Sequence, residues 1–193
     1  MKEVKGGIKR LFDLLLSVFI VLFLSVPISL IALWIKSTSR GPVLYWSDRV
    51  GRDNHIFRMP KFRTMSIETP AVATHLLADP ERYVTPAGKI LRKTSMDEIP
   101  QLISIIKGDM SFVGPRPALF NQTDLVMLRT AKGIHRLTPG LTGWAQIHGR
   151  DELSILHKVE FDYYYLLHQS FALDLKIILQ TVFKVIRHDG IHH

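Results

Sequence analysis

An adjacent acid pair, Asp97-Glu98, and an arginine set between two prolines, Arg116, are the residues of this 193-residue chain whose types and spacing could do chemistry. Both lie in one stretch, residues 93–117, with Lys89, Arg92 and Lys93 crowding its front edge. An ionised carboxylate can serve as a nucleophile or a metal ligand. A guanidinium presents a fork that matches a phosphate in two directions. Pro115 and Pro117 restrict the backbone on either side of Arg116, so it projects from a stiff support. Acids beside bases point to a site that handles an anion without simply repelling it. Each feature also has a plain structural reading. Ser95-Met96-Asp97-Glu98 matches a capping box, with Ser95 as N-cap and Glu98 reaching back to it. Pro100 moves the expected helix start later, because proline is comfortable only in the first helical turn. Arg116 can equally be a turn residue paired with Asp109.

The elements that must position these groups are legible in part. Leu102, Ile103, Ile105 and Ile106 supply an apolar face for a short helix after the acids, and Gly108 suits the left-handed position that ends it. Lys61-Phe62-Arg63-Thr64-Met65 alternates base and apolar residue, as an extended segment with Lys61 and Arg63 on one face would. Two short apolar runs, residues 43–46 and 56–59, flank the polar turn Gly51-Arg52-Asp53-Asn54 and read as a β-hairpin. Residues 66–86 lack periodicity and read as a surface loop with at most a short helix at 74–77. Residues 118–132 read as a helix. A glycine-rich loop at 138–144 leads to a possible strand at 145–147; it lacks the lysine-serine ending of a P-loop. Helical spacing returns over 151–168, where Asp162 sits beside three tyrosines. It returns again over 173–187, where apolar and basic stripes suit either a core helix or one lying in a membrane interface.

Composition narrows the function classes. The chain has no cysteine, which excludes disulfides, thiolate zinc sites and cysteine nucleophiles. Its net charge of +8 favours nucleic acid, anionic lipid or phosphorylated substrates without choosing among them. Residues 11–35 are almost wholly apolar, with Asp13 as the one charge. A helix of that length reaches roughly 37 Å, enough to cross a bilayer core. Pro27, two residues after Ser25, is expected to kink it. Lys9 and Arg10 before the run and Lys36 and Arg40 after it draw both ends to the same side. A kinked helix that enters and leaves by one leaflet satisfies both features; an ordinary single-pass anchor with a tolerated proline is the alternative. Asp13 can pair with Lys9 one turn earlier.

Several motifs occur in one order: Lys9-Arg10-Leu11-Phe12-Asp13, Gly41-Pro42-Val43, Arg49-Val50-Gly51-Arg52, Lys61-Phe62-Arg63-Thr64-Met65, Arg92 to Leu102, Lys107-Gly108-Asp109-Met110-Ser111, Gly114-Pro115-Arg116-Pro117 and Pro139-Gly140-Leu141-Thr142-Gly143-Trp144. With these the chain resembles the bacterial sugar transferase family, the small monotopic phosphoglycosyl transferases. The resemblance implies transfer of a phospho-sugar from a UDP-sugar to undecaprenyl phosphate, with release of UMP, as the first membrane step of glycan assembly. It implies Asp97 as a nucleophile that forms a covalent phospho-sugar intermediate, with Glu98 as its acid/base helper. It also implies Mg²⁺, with Asp97 and Glu98 as ligands, and a re-entrant helix broken at Ser25 and Pro27.

The expected architecture is then α/β and mostly helical. It comprises a re-entrant helix over 1–40, and over 41–193 a small hairpin and a compact helical catalytic domain with interfacial amphipathic helices. Lys61, Arg63, Arg92, Arg116 and Asp162 are expected to bind substrate. The expected partners are the UDP-sugar, undecaprenyl phosphate and lipids of the bacterial inner membrane at its cytoplasmic face. No nucleic acid is expected, because no helix-turn-helix or zinc finger is present. A nucleotide-sugar hydrolase using the same acid pair on water is the main rival. The sugar and the oligomeric state are not readable.

Overall fold

A computed structural model describes residues 2–69, 79–149 and 153–187. The short helix expected at 74–77 and the terminal His192-His193 lie outside the described residues. Among the described residues the protein is mostly helical, with a three-stranded sheet and a separate two-stranded one.

The N-terminal run forms two helices, α1 (Lys2–Phe23) and α2 (Ser25–Thr38), bent by 63° at Leu24. Pro27 explains the position of the break. It lacks the N–H that would bond the carbonyl four residues back, Phe23, and its ring crowds that carbonyl. The helix therefore stops at Phe23 and restarts with Ser25 and Pro27 in its first turn, where proline is tolerated. Among the described residues no single helix is long and apolar enough to cross a membrane; the bent pair passes that test only together. The Lys9 charge acts on Asp13, but the direct ion pair of Lys9 is with Asp174. Asp13 is buried, and its Oδ1 accepts the Phe112 N–H at 3.2 Å. Lys9 reaches Asp174 Oδ2 at 2.6 Å and donates to the Val113 carbonyl at 3.0 Å.

The hairpin forms and is longer than its apolar runs. Strands β1 (Leu44–Val50) and β2 (Ile56–Phe62) pair antiparallel, with Leu44 opposite Phe62 and Val50 opposite Ile56. Asp53 and Asn54 make the turn with positive φ, which short polar side chains tolerate. After α3 (Pro86–Lys93), the chain enters a 3-10 segment, Met96–Gln101, and then α4 (Leu102–Lys107), which Gly108 ends at φ 99° as its type demands. The α4 residues Leu102 and Ile105 are buried, whereas Ile103 and Ile106 remain substantially exposed.

Strand β3 (Ser111–Val113) runs parallel to β5 (Gly140–Thr142), and between them β4 (Ala118–Leu119) joins the edge of β1. The helix expected from 118 thus begins later, as α5 (Thr123–Ala131), because residues 118–119 are taken by the sheet. Residues expected as a strand after the glycine-rich loop form α6 (Trp144–Ile147). Helices α7 (Ile155–His168) and α8 (Phe171–Arg187) complete the fold. The main core gathers Met59, Leu102, Ile105, Met110, Phe112 and Tyr165, with Leu16, Ile20 and Val21 of α1 packed against it. The face of α8 turned inward carries Asp174 and Ile177. Its Leu175, Leu179, Val182 and Phe183 are exposed, as are Leu11, Leu15, Phe19 and Leu22 of α1.

Candidate active site

The acid pair sits where the 3-10 segment leaves α3. The capping box does not form. Ser95 adopts a left-handed conformation at φ 55° and makes no side-chain cap bond. Pro100 is the reason, since an α-helix begun at Ser95 would place it in the interior, where it clashes with the preceding turn. The tighter 3-10 coil replaces that turn, and the regular helix starts only at Leu102. Its effect is to present Asp97 and Glu98 as consecutive carboxylates with side chains only 11% and 12% exposed.

The cations that hold them come from two distant elements. Lys61, near the end of β2, places its Nζ 2.8 Å from Glu98 Oε1 and 3.6 Å from Asp97 Oδ2. Arg116, between β3 and β4, donates from Nη2 to the same Glu98 oxygen at 3.1 Å. Burial opposes the charge on Glu98, but Lys61 and Arg116 outweigh it and hold the carboxyl well below the usual range. Arg92, at the end of α3, donates from Nε to Thr64 Oγ1 at 3.0 Å. Burial lowers its pKa, against the pull of Asp97 and Glu81. The structure therefore brings together Asp97, Glu98, Lys61, Arg92 and Arg116.

Two expected members stand elsewhere. Arg63 is buried, and its Nη2 donates to Ser39 Oγ at 2.7 Å and to the Ser39 carbonyl at 3.0 Å. It lies against Gly41 at the exit of α2, so β2 sends Lys61 to the acids and Arg63 to the anchor. The extended backbone reaches Phe62, and the Arg63 N–H still donates to the Val43 carbonyl at 2.9 Å, but the Arg63 side chain goes to Ser39 and not to the acids. Asp162 is 1% exposed and does not reach the acids. Its Oδ2 accepts from Arg129 Nη2 at 2.6 Å and Nε at 3.0 Å. Burial pushes its carboxyl up, against Arg129 and Lys158. Arg129 itself escaped the sequence reading. It lies in an ordinary helical pattern, and its partner is 33 residues away.

The loops behind Arg116 are close-packed through backbone. A methyl at Gly114 would run into the Thr138 carbonyl oxygen and meet Gly140 N at 2.9 Å. We expect Gly114→Ala to lower stability by about 1–3 kcal/mol, the usual effect of overpacking, and to depress turnover by shifting Arg116. Thermal unfolding and activity of the one variant check both.

Glu98 also sets a pH dependence. Its folded pKa lies below its unfolded one, so the unfolded state binds the proton first as pH falls. The stability Glu98 contributes is complete above the ordinary glutamate range and declines as pH drops through it toward the folded pKa. In EDTA, acid unfolding of Glu98→Gln should therefore depend less steeply on pH below about 4.5 than that of the unaltered protein.

No cluster of three or more His, Asp or Glu residues suited to a metal occurs among the described residues. Two adjacent carboxylates fit the other common mode, in which Mg²⁺ is held by one or two carboxylates plus substrate phosphates.

Comparison with known proteins identifies the family. Residues 4–188 match the family model described as bacterial sugar transferase. The chain is 41% identical over 184 residues to the uncharacterized sugar transferase EpsL of Bacillus subtilis (strain 168), covering 95% of this chain and 90% of that protein. It is 40% identical over 185 residues to the UDP-glucose:undecaprenyl-phosphate glucose-1-phosphate transferase of Escherichia coli (strain K12), covering 92% of this chain and 40% of that protein. It is 36% identical over 204 residues to the undecaprenyl-phosphate galactose phosphotransferase of Salmonella typhimurium, covering 95% and 41%. The chain thus spans about two fifths of the length of these two larger relatives. Such extended similarity, running through the acid pair and both of its cation-bearing segments, makes this chain a member of the bacterial sugar transferase family.

Proposed function

We propose that the protein transfers a phospho-sugar from a UDP-sugar to undecaprenyl phosphate, giving undecaprenyl-diphosphate-sugar and UMP. The observation that carries this reading is the ammonium of Lys61 set between the Asp97 and Glu98 carboxylates, with Arg116 closing on Glu98. Phosphoryl transfer needs little covalent help from a protein beyond a nucleophile, positioning and positive charge around the moving group.

The geometry favours a division of labour. Glu98 is gripped at hydrogen-bonding distance by two cations, whereas Lys61 stands 3.6 Å from Asp97. We assign the attack to Asp97, as the resemblance to the family implies. Its carboxylate oxygen attacks the β-phosphorus of the donor, and the bond from that phosphorus to the bridging oxygen breaks. The electron pair leaves with UMP. A phosphate oxygen of the polyprenol phosphate then attacks the same phosphorus and returns Asp97 to its carboxylate. Glu98 holds Lys61 and Arg116 against the migrating phosphate. Mg²⁺ bound by Asp97 or Glu98 together with the donor phosphates would supply further charge neutralisation.

The bent helix pair supports a membrane-embedded substrate. The exposed residues Leu11, Leu15, Val18 and Leu22 before the break and Val26, Leu30 and Leu33 after it give both arms apolar outer faces. The arm over residues 11–23 is about 20 Å long at 1.5 Å per residue, deeper than one leaflet of a roughly 30 Å core. We read the pair as a re-entrant hairpin in the cytoplasmic face of the bacterial inner membrane, with the exposed apolar stripe of α8 lying in the interface. The acid pair is then held where a polyprenol phosphate presents its headgroup.

The test is UMP release from a panel of UDP-sugars with and without undecaprenyl phosphate. Release that needs the lipid is expected. Lipid-independent release would mark a hydrolase and overturn the transferase reading.

A further inference from the structure

Behind Arg116 the turn is clamped by two other arginines. Arg129 Nη1, on α5, donates to the Arg116 carbonyl at 2.8 Å, and Arg49 Nη1, on β1, donates to the next carbonyl, Pro117, at 3.3 Å. Arg129 can hold that position because Asp162, on α7, accepts from its other two nitrogens, Nη2 and Nε, on one oxygen, at 2.6 and 3.0 Å. One guanidinium thus spans a buried carboxylate and the backbone of the residue whose side chain reaches Glu98. The chain of contacts is continuous: Asp162, Arg129, the Arg116 backbone, the Arg116 side chain, Glu98.

We propose that Asp162, acting through Arg129, is a positioning residue that sets where Arg116 stands over the acid pair. This rests on the transferase reading of that pair. Prolines stiffen the turn internally, but a stiff turn still needs docking as a body. The Arg129 and Arg49 bonds do that on consecutive carbonyls. A cavity of ≈ 30 Å³ lined by Pro115, Arg129, His135 and Pro139 lies beside the clamp. Shifts of about 1 Å at a catalytic group are enough to lower a rate about 100-fold.

The experiment is a double-mutant cycle between Asp162→Asn and Arg116→Ala, read as lipid-dependent UMP release per folded protein. Each single variant should lose activity about 10- to 100-fold, with the KM for the UDP-sugar rising in both. The double variant should be no worse than Arg116→Ala, because Asp162 acts only through it. Multiplying losses, or a KM that rises in Arg116→Ala and stays put in Asp162→Asn, would overturn the proposal. Arg129→Lys guards against a folding defect in Asp162→Asn. Lysine keeps a cation beside the buried carboxylate, but one ammonium cannot also reach the Arg116 carbonyl. It should unfold at the temperature of the unaltered protein and lose activity non-additively with Arg116→Ala; full activity in Arg129→Lys would sink the clamp. An unaltered protein that releases no lipid-dependent UMP overturns the transferase reading and this inference with it. An active one with additive variants overturns this inference alone.

Discussion

Replacing Asp97 by asparagine should abolish transfer, by at least about 10³-fold, while leaving the fold in place. The amide has the volume of the carboxylate, so packing around the 3-10 segment is unchanged, but it cannot attack phosphorus as an anion. Lys61 keeps Glu98 as its nearer partner at 2.8 Å, so it stays paired after one negative charge is removed. The discriminating measurement uses donor alone. With a UDP-sugar and no lipid, the unaltered protein should release about one equivalent of UMP per site and carry a phospho-sugar mass on the peptide containing Asp97. Asp97→Asn should give neither. Near-normal turnover in Asp97→Asn would remove this residue from the chemistry. A trapped adduct on Glu98 would exchange the two roles.

Replacing Lys61 by methionine should be nearly as severe for activity and more damaging to the fold. The methionine fills most of the same space but leaves Asp97 and Glu98 side by side in a largely buried place with their shared cation gone. Two neighbouring carboxylates with one charge partner removed cannot both stay ionised at little cost, so one takes up a proton. Breaking a buried pair by removing one member typically destabilises by about 3 kcal/mol or more. We expect a clear fall in unfolding temperature and a loss of turnover of about 10²-fold or greater. The stability loss should shrink as pH falls through the glutamate range, because protonation then relieves the uncompensated charge. A variant as stable as the unaltered protein at neutral pH would show that Arg116 and Arg92 suffice to hold both acids.

The contrast between Lys61 and Arg63 shows what sequence carries and what it does not. Alternation along a strand put both on one side, and it was right about the extended backbone as far as Phe62. It held no information about the partner each side chain meets, and Arg63 meets Ser39. The helix stop at Gly108 was legible because a left-handed residue after an apolar helix has few alternatives. The break between α1 and α2 was legible because Pro27 lacks an N–H. Both are local chemistry. The capping box at Ser95 was local chemistry too, but it competed with Pro100, and the proline won because its clash cannot be relaxed by a side-chain rotation.

The missed residues are those whose meaning lies in partners far along the chain. Arg129 looks like any solvated arginine on a helix until Asp162 is folded against it. Asp162 stood out as a lone acid among tyrosines and was assigned to substrate, since nothing in its neighbourhood names Arg129. Lys9 read as a membrane flank; its bond to Asp174 crosses 165 residues. Long-range ion pairs of this kind leave no periodic trace in one sequence.

The first helix holds more of the protein together than its hydropathy suggests. Arg10 donates to the Ile105 and Ile106 carbonyls and so closes the far end of the helix that begins after the acid pair. Asp13 holds Phe112 N, Lys9 neutralises Asp174, and Leu16, Ile20 and Val21 pack on the main core. Cutting the chain near residue 40 to obtain a detergent-free fragment would therefore open the core, uncap α4 and leave a buried aspartate without its lysine. Hydrogen bonds, an ion pair and apolar contacts thus cross the point where the composition changes. Whoever purifies this protein has to keep its greasiest segment, because that segment holds the far end of the helix that follows the acid pair.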